Sequence, residues 1–285
     1  MLSEALKERL SSLRRGQTQP SRARWARPAL TTQLADCFPE GAVRSTRYGE
    51  VFVCEPALRE AYSDAARLTA AYLAAFEEGH RRPDKSGAGS YLELLRAASP
   101  AGTVLIDTET AGLHGRPLFL IGLVRWQGEE LVLTQYFAQD YSREPAVLGQ
   151  LAELLPGIEL LVSFNGKAFD WPLVRDRMTY HRLRCRPAFA HLDLLHPSRR
   201  RWRAQLPNCK LRTLEQYLCG RWRSGDIPSH EIPQRYHDFV REQDARLIAP
   251  VFHHNRLDLI TMVELLVALS EGKQPTHNPA LTGWR

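Results

Sequence analysis

The stretch Val104-Leu105-Ile106-Asp107-Thr108-Glu109-Thr110 constrains this chain more than any other. Three apolar residues run into two carboxylates one residue apart, with Gly102 before them and Gly112 after. A short apolar run bounded in this way reads as a buried strand. Side chains alternate along a strand, so Asp107 and Glu109 share a face. Two like charges at the end of a buried strand are costly unless a positive charge lies between them. Hard carboxylate oxygens suit Mg²⁺ or Mn²⁺ in that role. An isolated Asp-x-Glu more often has one acid capping a loop and the other solvated. Two further acids downstream favour the metal reading here.

A chain of 285 residues is long enough for one large domain or two modest ones. No run of 18 apolar residues occurs, so no membrane span is expected. The first residues lack the apolar centre of a secretory signal, so export is not expected either. The five cysteines are scattered and odd in number, which suits reduced thiols in a cytoplasmic setting better than a disulfide framework. The net charge of +6 is permissive for a polyanionic partner.

That charge is unevenly spread. Residues 1–29 form a basic arm and linker: Leu2, Leu6, Leu10 and Leu13 suggest a short amphipathic helix, followed by a polar stretch from Gly16 to Pro28. Residues 30–100 read as a small α+β region. A strand is expected over Tyr48–Cys54, helices over Ala57–Glu78 and Tyr91–Ala98, and a loop over Gly79–Gly89. This region carries no catalytic constellation. From residue 101 to 272 a larger domain is expected, followed by a tail at 273–285. After the first strand come strands at Pro117–Trp126 and Leu131–Phe137, joined by Gln127-Gly128-Glu129, which together make an antiparallel meander. Apolar residues at helical spacing mark a helix over Arg143–Leu155, and a buried strand follows at Glu159–Phe164. A strand reached through a helical crossover lies parallel to a neighbour in its sheet.

Several segments in order carry a resemblance: LIDTETAGL (105–113), SFNGKAFDWPLV (163–174), HLDLLHPSRR (191–200), LRTLEQYL (211–218), DIPSHEIP (226–233) and HHNRLDLI (253–260). The chain resembles the DEDD 3′–5′ exonuclease superfamily, and within it the YprB-type ribonuclease-H-like domain family. One departure is that His114-Gly115-Arg116-Pro117 stands where that family has a glycine-rich insertion. The resemblance implies an α/β ribonuclease-H-like fold, with an antiparallel three-strand meander plus parallel strands flanked by helices. It also implies that Asp107, Glu109, Asp170 and Asp258 hold two Mg²⁺ or Mn²⁺ ions. The substrate implied is a nucleic acid with a single-stranded 3′ end, DNA or RNA, and the product a nucleoside 5′-monophosphate.

Read on their own, Asp170 is also a good N-cap ahead of Pro172, and Asp258 is also a solvent-facing acid on the amphipathic helix Asn255–Leu269. His254 lies four residues before Asp258 and shares its helix face. His253 lies five before and would reach the site only from a loop ahead of the helix. The resemblance favours His254 as the general base, because the YprB-type pattern has a His-Asn pair at that point, with His253 left open as the alternative; imidazole suits the role, its pKa lying near neutrality. Candidate nucleic-acid contacts are Thr110, Leu113, Asn165, Phe169, Arg200, Trp202 and Lys210. Turn formation is the default for Asn165 and a core position for Phe169. Arg175, Arg177, Arg182, Arg184 and Arg186, with the run Arg199–Arg203 around Trp202, suit phosphate contact and base stacking, the alternative being a solvated helix face with Trp202 buried. Asp193 is expected to orient a neighbouring arginine. Two alternatives remain: a nucleic-acid-binding protein of this fold with weak cleavage, and an endonuclease cutting within RNA–DNA hybrids.

Overall fold

Thr103–Ile106 are all buried and Asp107–Thr110 half-buried along an interior strand of a computed structural model that describes residues 31–81, 90–112, 116–184 and 187–276. Val104 and Ile106 join one apolar cluster and Leu105 another, so this strand divides the core. In chain order the elements are β1 (Gly41–Thr46), β2 (Gly49–Cys54), α1 (Ala65–Arg81), α2 (Tyr91–Arg96), β3 (Thr103–Thr110), β4 (Leu118–Gln127), β5 (Glu130–Phe137) and α3 (Glu144–Leu154). Then follow β6 (Leu160–Ser163), α4 (Asp170–Tyr180), β7 (Ala190–Asp193), α5 (Leu195–Trp202), α6 (Leu211–Leu214), α7 (Ile232–Glu242) and α8 (Ala245–Glu271). One sheet carries them in the order β1-β2-β5-β4-β3-β6-β7. The pairs from β1 through β3 are antiparallel, while β3–β6 and β6–β7 are parallel. This is the mixed sheet the sequence led us to expect.

Two features differ from the reading of the sequence. The expected strand near Tyr48–Cys54 has a partner, β1, which the sequence did not signal. Val43, Arg44 and Ser45 are exposed there, because β1 is an edge strand with little to bury. Through β2–β5 pairing these two strands extend the same sheet, so residues 41–54 do not form a sheet of their own. The last helix also begins ten residues earlier than the predicted Asn255, at Ala245. Asp244 caps it by accepting from the Arg246 amide, and the helix runs through Pro250. Proline lacks an amide donor, which hides that continuity in the sequence. The first half of α8 packs into the cluster of Phe38, Phe137 and Phe252, and its second half into the cluster of Leu105, Val124 and Trp202.

Among the described residues no helix is long and apolar enough to cross a membrane, and Cys37, Cys54, Cys209 and Cys219 are free thiols. The basic arm, residues 1–29, lies outside the described residues, as does Leu113.

Candidate active site

Strand β3 carries Asp107 and Glu109 to the sheet's end on one face, as their spacing predicts. Thr108 points the other way and donates its hydroxyl to Asp170 Oδ1 at 2.5 Å. Asp170 opens α4, reached from β6 through a turn in which Asn165 has φ 64°. A Cβ on Gly166 would lie 2.5 Å from Ser163 Oγ, so glycine lets this turn pack closely against the end of β6. Asp193 shapes this turn. It accepts from the amides of Asn165 (2.7 Å), Lys167 (3.1 Å) and Leu195 (3.0 Å), which corrects the expectation that it orients an arginine.

Asp258 comes from α8. Its Oδ1 pairs with Arg223 Nη2 at 2.6 Å, and its Oδ2 lies 3.5 Å from His254 Nε2, one helical turn away. Arg223 is itself buried against Glu215 (2.5 Å) and Asp226 (3.1 Å). His254 Nδ1 bonds Asp226 Oδ1 at 2.9 Å. Asp107 receives a hydrogen bond from Asn255 Nδ2 at 2.8 Å. Among the described residues no hydrogen bond or ion pair reaches the Glu109 carboxylate.

The four acids feel one another. Burial pushes the Asp107 carboxyl well above the usual range, and the charges of Asp258 and Asp170 push it further. Glu109 is raised by burial and then by Asp107, Asp258 and Asp170. Asp170 is raised by burial, against the Thr108 hydrogen bond, and Asp258 by burial, against Arg223 and His254. Burial lowers the His254 pKa, but the Asp226 hydrogen bond and the Asp258 charge outweigh it, so the net direction is upward. His253 is exposed on the same helix and is shifted downward, first by burial of its ring. Because α8 starts at Ala245, there is no loop ahead of it from which His253 could reach in.

Among the described residues no three His, Cys, Asp or Glu side chains stand as a ready-made metal cage. Asp107, Asp170 and Asp258 are each engaged by a protein group. The donor set nonetheless fits a hard divalent cation: all four carboxylates are raised, one of them has no partner among the described residues, and the charges of Asp170 and Asp258 raise both Asp107 and Glu109 in a pocket that a cation would relieve.

Two cavities adjoin this centre, with Ser229 lining both. One, about 270 Å³, is lined by Lys210, Arg212, Asp226, His254 and Asp258. The other, about 280 Å³, is lined by Glu109, Thr110, Gly112, Ile232 and Pro233. Thr110 donates its hydroxyl to the Gly112 carbonyl at 2.9 Å. Phe169 is 65% exposed beside Asp170, which corrects its default core assignment. Arg200 and Lys210 are exposed, and Asn165 is half-buried in the turn. Trp202 corrects the stacking expectation: it is fully buried, its indole donating to the Lys273 carbonyl at 3.0 Å. Arg177 is likewise drawn off, paired with the buried Glu144.

Sequence reasoning gave no role to Thr108, Arg223, Asn255, Gln135 or Gly122. A glycine in the middle of the apolar run Leu118–Val124 was the available signal, since glycine inside a strand marks close approach of another segment.

Comparison with known proteins adds the following. The sequence pattern described as the RNase_H superfamily matches residues 104–270. A curated protein of Bacillus subtilis (strain 168), titled "Uncharacterized protein YprB", is 36% identical over 171 residues, which make up 58% of this chain and 41% of that protein. The match thus spans about two fifths of that relative's length. A solved structure, the family B DNA polymerase from the archaeon Pyrobaculum calidifontis, is a distant likeness. It has a TM-score of 0.46 and 14% identity, over 57% of this chain and 24% of that one.

Proposed function

Because the chain belongs to the RNase_H superfamily, whose pattern covers residues 104–270, we propose that it is a metal-dependent 3′–5′ exonuclease acting on single-stranded DNA or RNA. The observation that carries this reading is the convergence of Asp107, Glu109, Asp170 and Asp258, each raised above its usual pKa range. These four would hold the two divalent ions, Mg²⁺ or Mn²⁺. Such ions acidify a bound water and offset the charge that develops on the phosphate and the leaving 3′ oxygen.

The chain's own residues supply the remaining parts. His254 keeps its Nδ1 on Asp226, which turns Nε2 toward Asp258 and fixes the nitrogen that takes the water's proton. Thr108 holds Asp170 at the start of α4, so that acid meets the strand-borne pair without a flexible linker. Lys210 and Arg212, on the rim of the cavity beside Asp258, suit the phosphates of the bound strand. Phe169, exposed next to Asp170, offers a ring for an unpaired base, while Thr110 lines the cavity on the Glu109 side.

One observation favours a second reading, a nucleic-acid-binding protein of this fold that cleaves weakly: Arg223 already neutralises Asp258. A single gel separates the readings. With Mn²⁺, 5′-labelled single strands should shorten in a ladder from the 3′ end, EDTA should stop this, and Asp107→Ala should abolish it. Binding without shortening selects the weak-cleavage reading, and internal cuts confined to RNA–DNA hybrids select an endonuclease.

A further inference from the structure

Across β3, β4, β5 and β2 the directly paired residues Asp107, Gly122, Gln135 and Cys54 form one row. Residues paired in this way present their side chains to the same face of the sheet. Gly122 leaves a gap in that row. A Cβ there would lie 2.1 Å from Asn255 Oδ1 and 2.7 Å from Leu259 Cδ1. Asn255, descending from α8, fills the gap and bridges its two neighbours. Its Nδ2 donates to Asp107 Oδ2 at 2.8 Å, and its Oδ1 accepts from Gln135 Nε2 at 2.8 Å. Gln135 Oε1 in turn accepts from Arg256 Nε at 2.8 Å. Arg256 is held at its far end by Glu40, 2.9 Å away. Asn255 and Gln135 are completely buried.

The chemistry at the two ends sets the direction of this chain of hydrogen bonds. An amide has one accepting end and one donating end, whereas a guanidinium only donates. Gln135 must therefore show its oxygen to Arg256, which leaves its NH₂ for Asn255 and for the Phe252 carbonyl at 3.0 Å. Asn255 must then show its oxygen to Gln135 and its NH₂ to Asp107. A donor-only group on α8, acting through Gln135 on β5, thus determines what the acid on β3 receives.

We propose that Asn255, with its amide oriented by Gln135 and Arg256, is a positioning residue that fixes the Asp107 carboxylate for cation binding. This rests on the reading of Asp107 as a cation ligand. The bond ties Oδ2 and leaves Oδ1 as the oxygen offered to the pocket. Because the donor is a neutral amide, it brings no countercharge of the kind that a lysine or arginine in that place would add.

Gln135→Glu tests the relay. The new carboxylate keeps the shape of the side chain and its contact with Arg256, but it cannot donate. Asn255 must then turn its NH₂ toward residue 135 and its oxygen toward Asp107, while every acid stays in place. Mn²⁺ titration calorimetry on the full chain reads the effect, with thermal melts in EDTA to report folding. The expected result is Mn²⁺ binding about tenfold weaker in Gln135→Glu, and a similar loss in Asn255→Ala, which decides the matter if the first variant does not fold. The loss in Gln135→Glu runs against simple charge, since an added carboxylate would by itself attract the ion. If the wild-type chain binds Mn²⁺ and the folded variants bind it equally well, the relay is overturned and the cation site stands. If the wild-type chain binds no Mn²⁺, both fall together.

Discussion

Two acids of the site, Asp107 on the sheet and Asp258 on the last helix, are held in opposite ways. Asp107 receives a neutral amide hydrogen, and Asp258 is flanked by Arg223 and His254. Asp258 therefore carries its countercharge within the fold, whereas Asp107 and the unpartnered Glu109 do not. A buried carboxylate without a countercharge is destabilising, so the sheet side of the site is where a cation from solution gains most. The helix side is already balanced, and a cation there must compete with a guanidinium. On the proposed reading, one half of the pocket leaves its charge for an ion to offset and the other carries its own countercharge.

Four measurements break or sharpen that contrast. The largest effect is expected in hydrolysis, where Asp107→Ala should lower the metal-dependent rate by about 10³-fold in a single-turnover assay. Activity surviving that change would leave the sheet side without the importance given to it. Next, Arg223→Met should cost about 3 kcal/mol of stability in urea melts, because the buried Glu215 and Asp226 lose a partner. A neutral result would show that the helix side is not balanced by that arginine.

The third concerns pH and supplies a baseline that both sides share. His191, bonded to Ser163 Oγ at 2.8 Å, is pushed down to about 4, chiefly by burial. Its folded pKa lies below its unfolded value of 6.5, so the unfolded chain binds the extra proton between those limits. Stability from this group is intact above pH 6.5 and should fall by about 2 kcal/mol by pH 5. In His191→Gln that slope should vanish, as followed by urea melts across the range. The smallest effect is the most direct comparison: in EDTA, Asp107→Asn should raise stability by about 1 kcal/mol, while Asp258→Asn should lower it by a similar amount. Shifts of the same sign would remove the contrast.

The sheet-borne half of this site was legible in the sequence and the helix-borne half much less so. Asp107 and Glu109 sit in a seven-residue pattern whose period of two fixes strand and face together. The meander followed from three apolar runs with short connections, and Asp170 from a glycine turn ahead of a helix. Arg223 gave no such signal, because its partners Glu215, Asp226 and Asp258 are brought together only by tertiary packing. Trp202 misled because aromatic residues among arginines suit both a binding face and a core, and burial decides between them. Phe169 misled in the opposite direction. Asn255 lies next to the expected base His254, but its role depends on a glycine 133 positions earlier that only the register of β3 and β4 places beneath it.

The edge strand β1 has its own consequence. Among the described residues no strand lies beside its outer side, and Val43 is 49% exposed. A bare strand of this kind is a template on which a neighbouring molecule can add another, the first step of ordered clumping. Arg44 in the middle, paired across to Glu55, and the hydroxyls of Ser45 and Thr46 make that template short and polar. Self-association and the proposed hydrolysis would therefore be governed from different strands of the same sheet, the edge strand β1 and the interior strand β3.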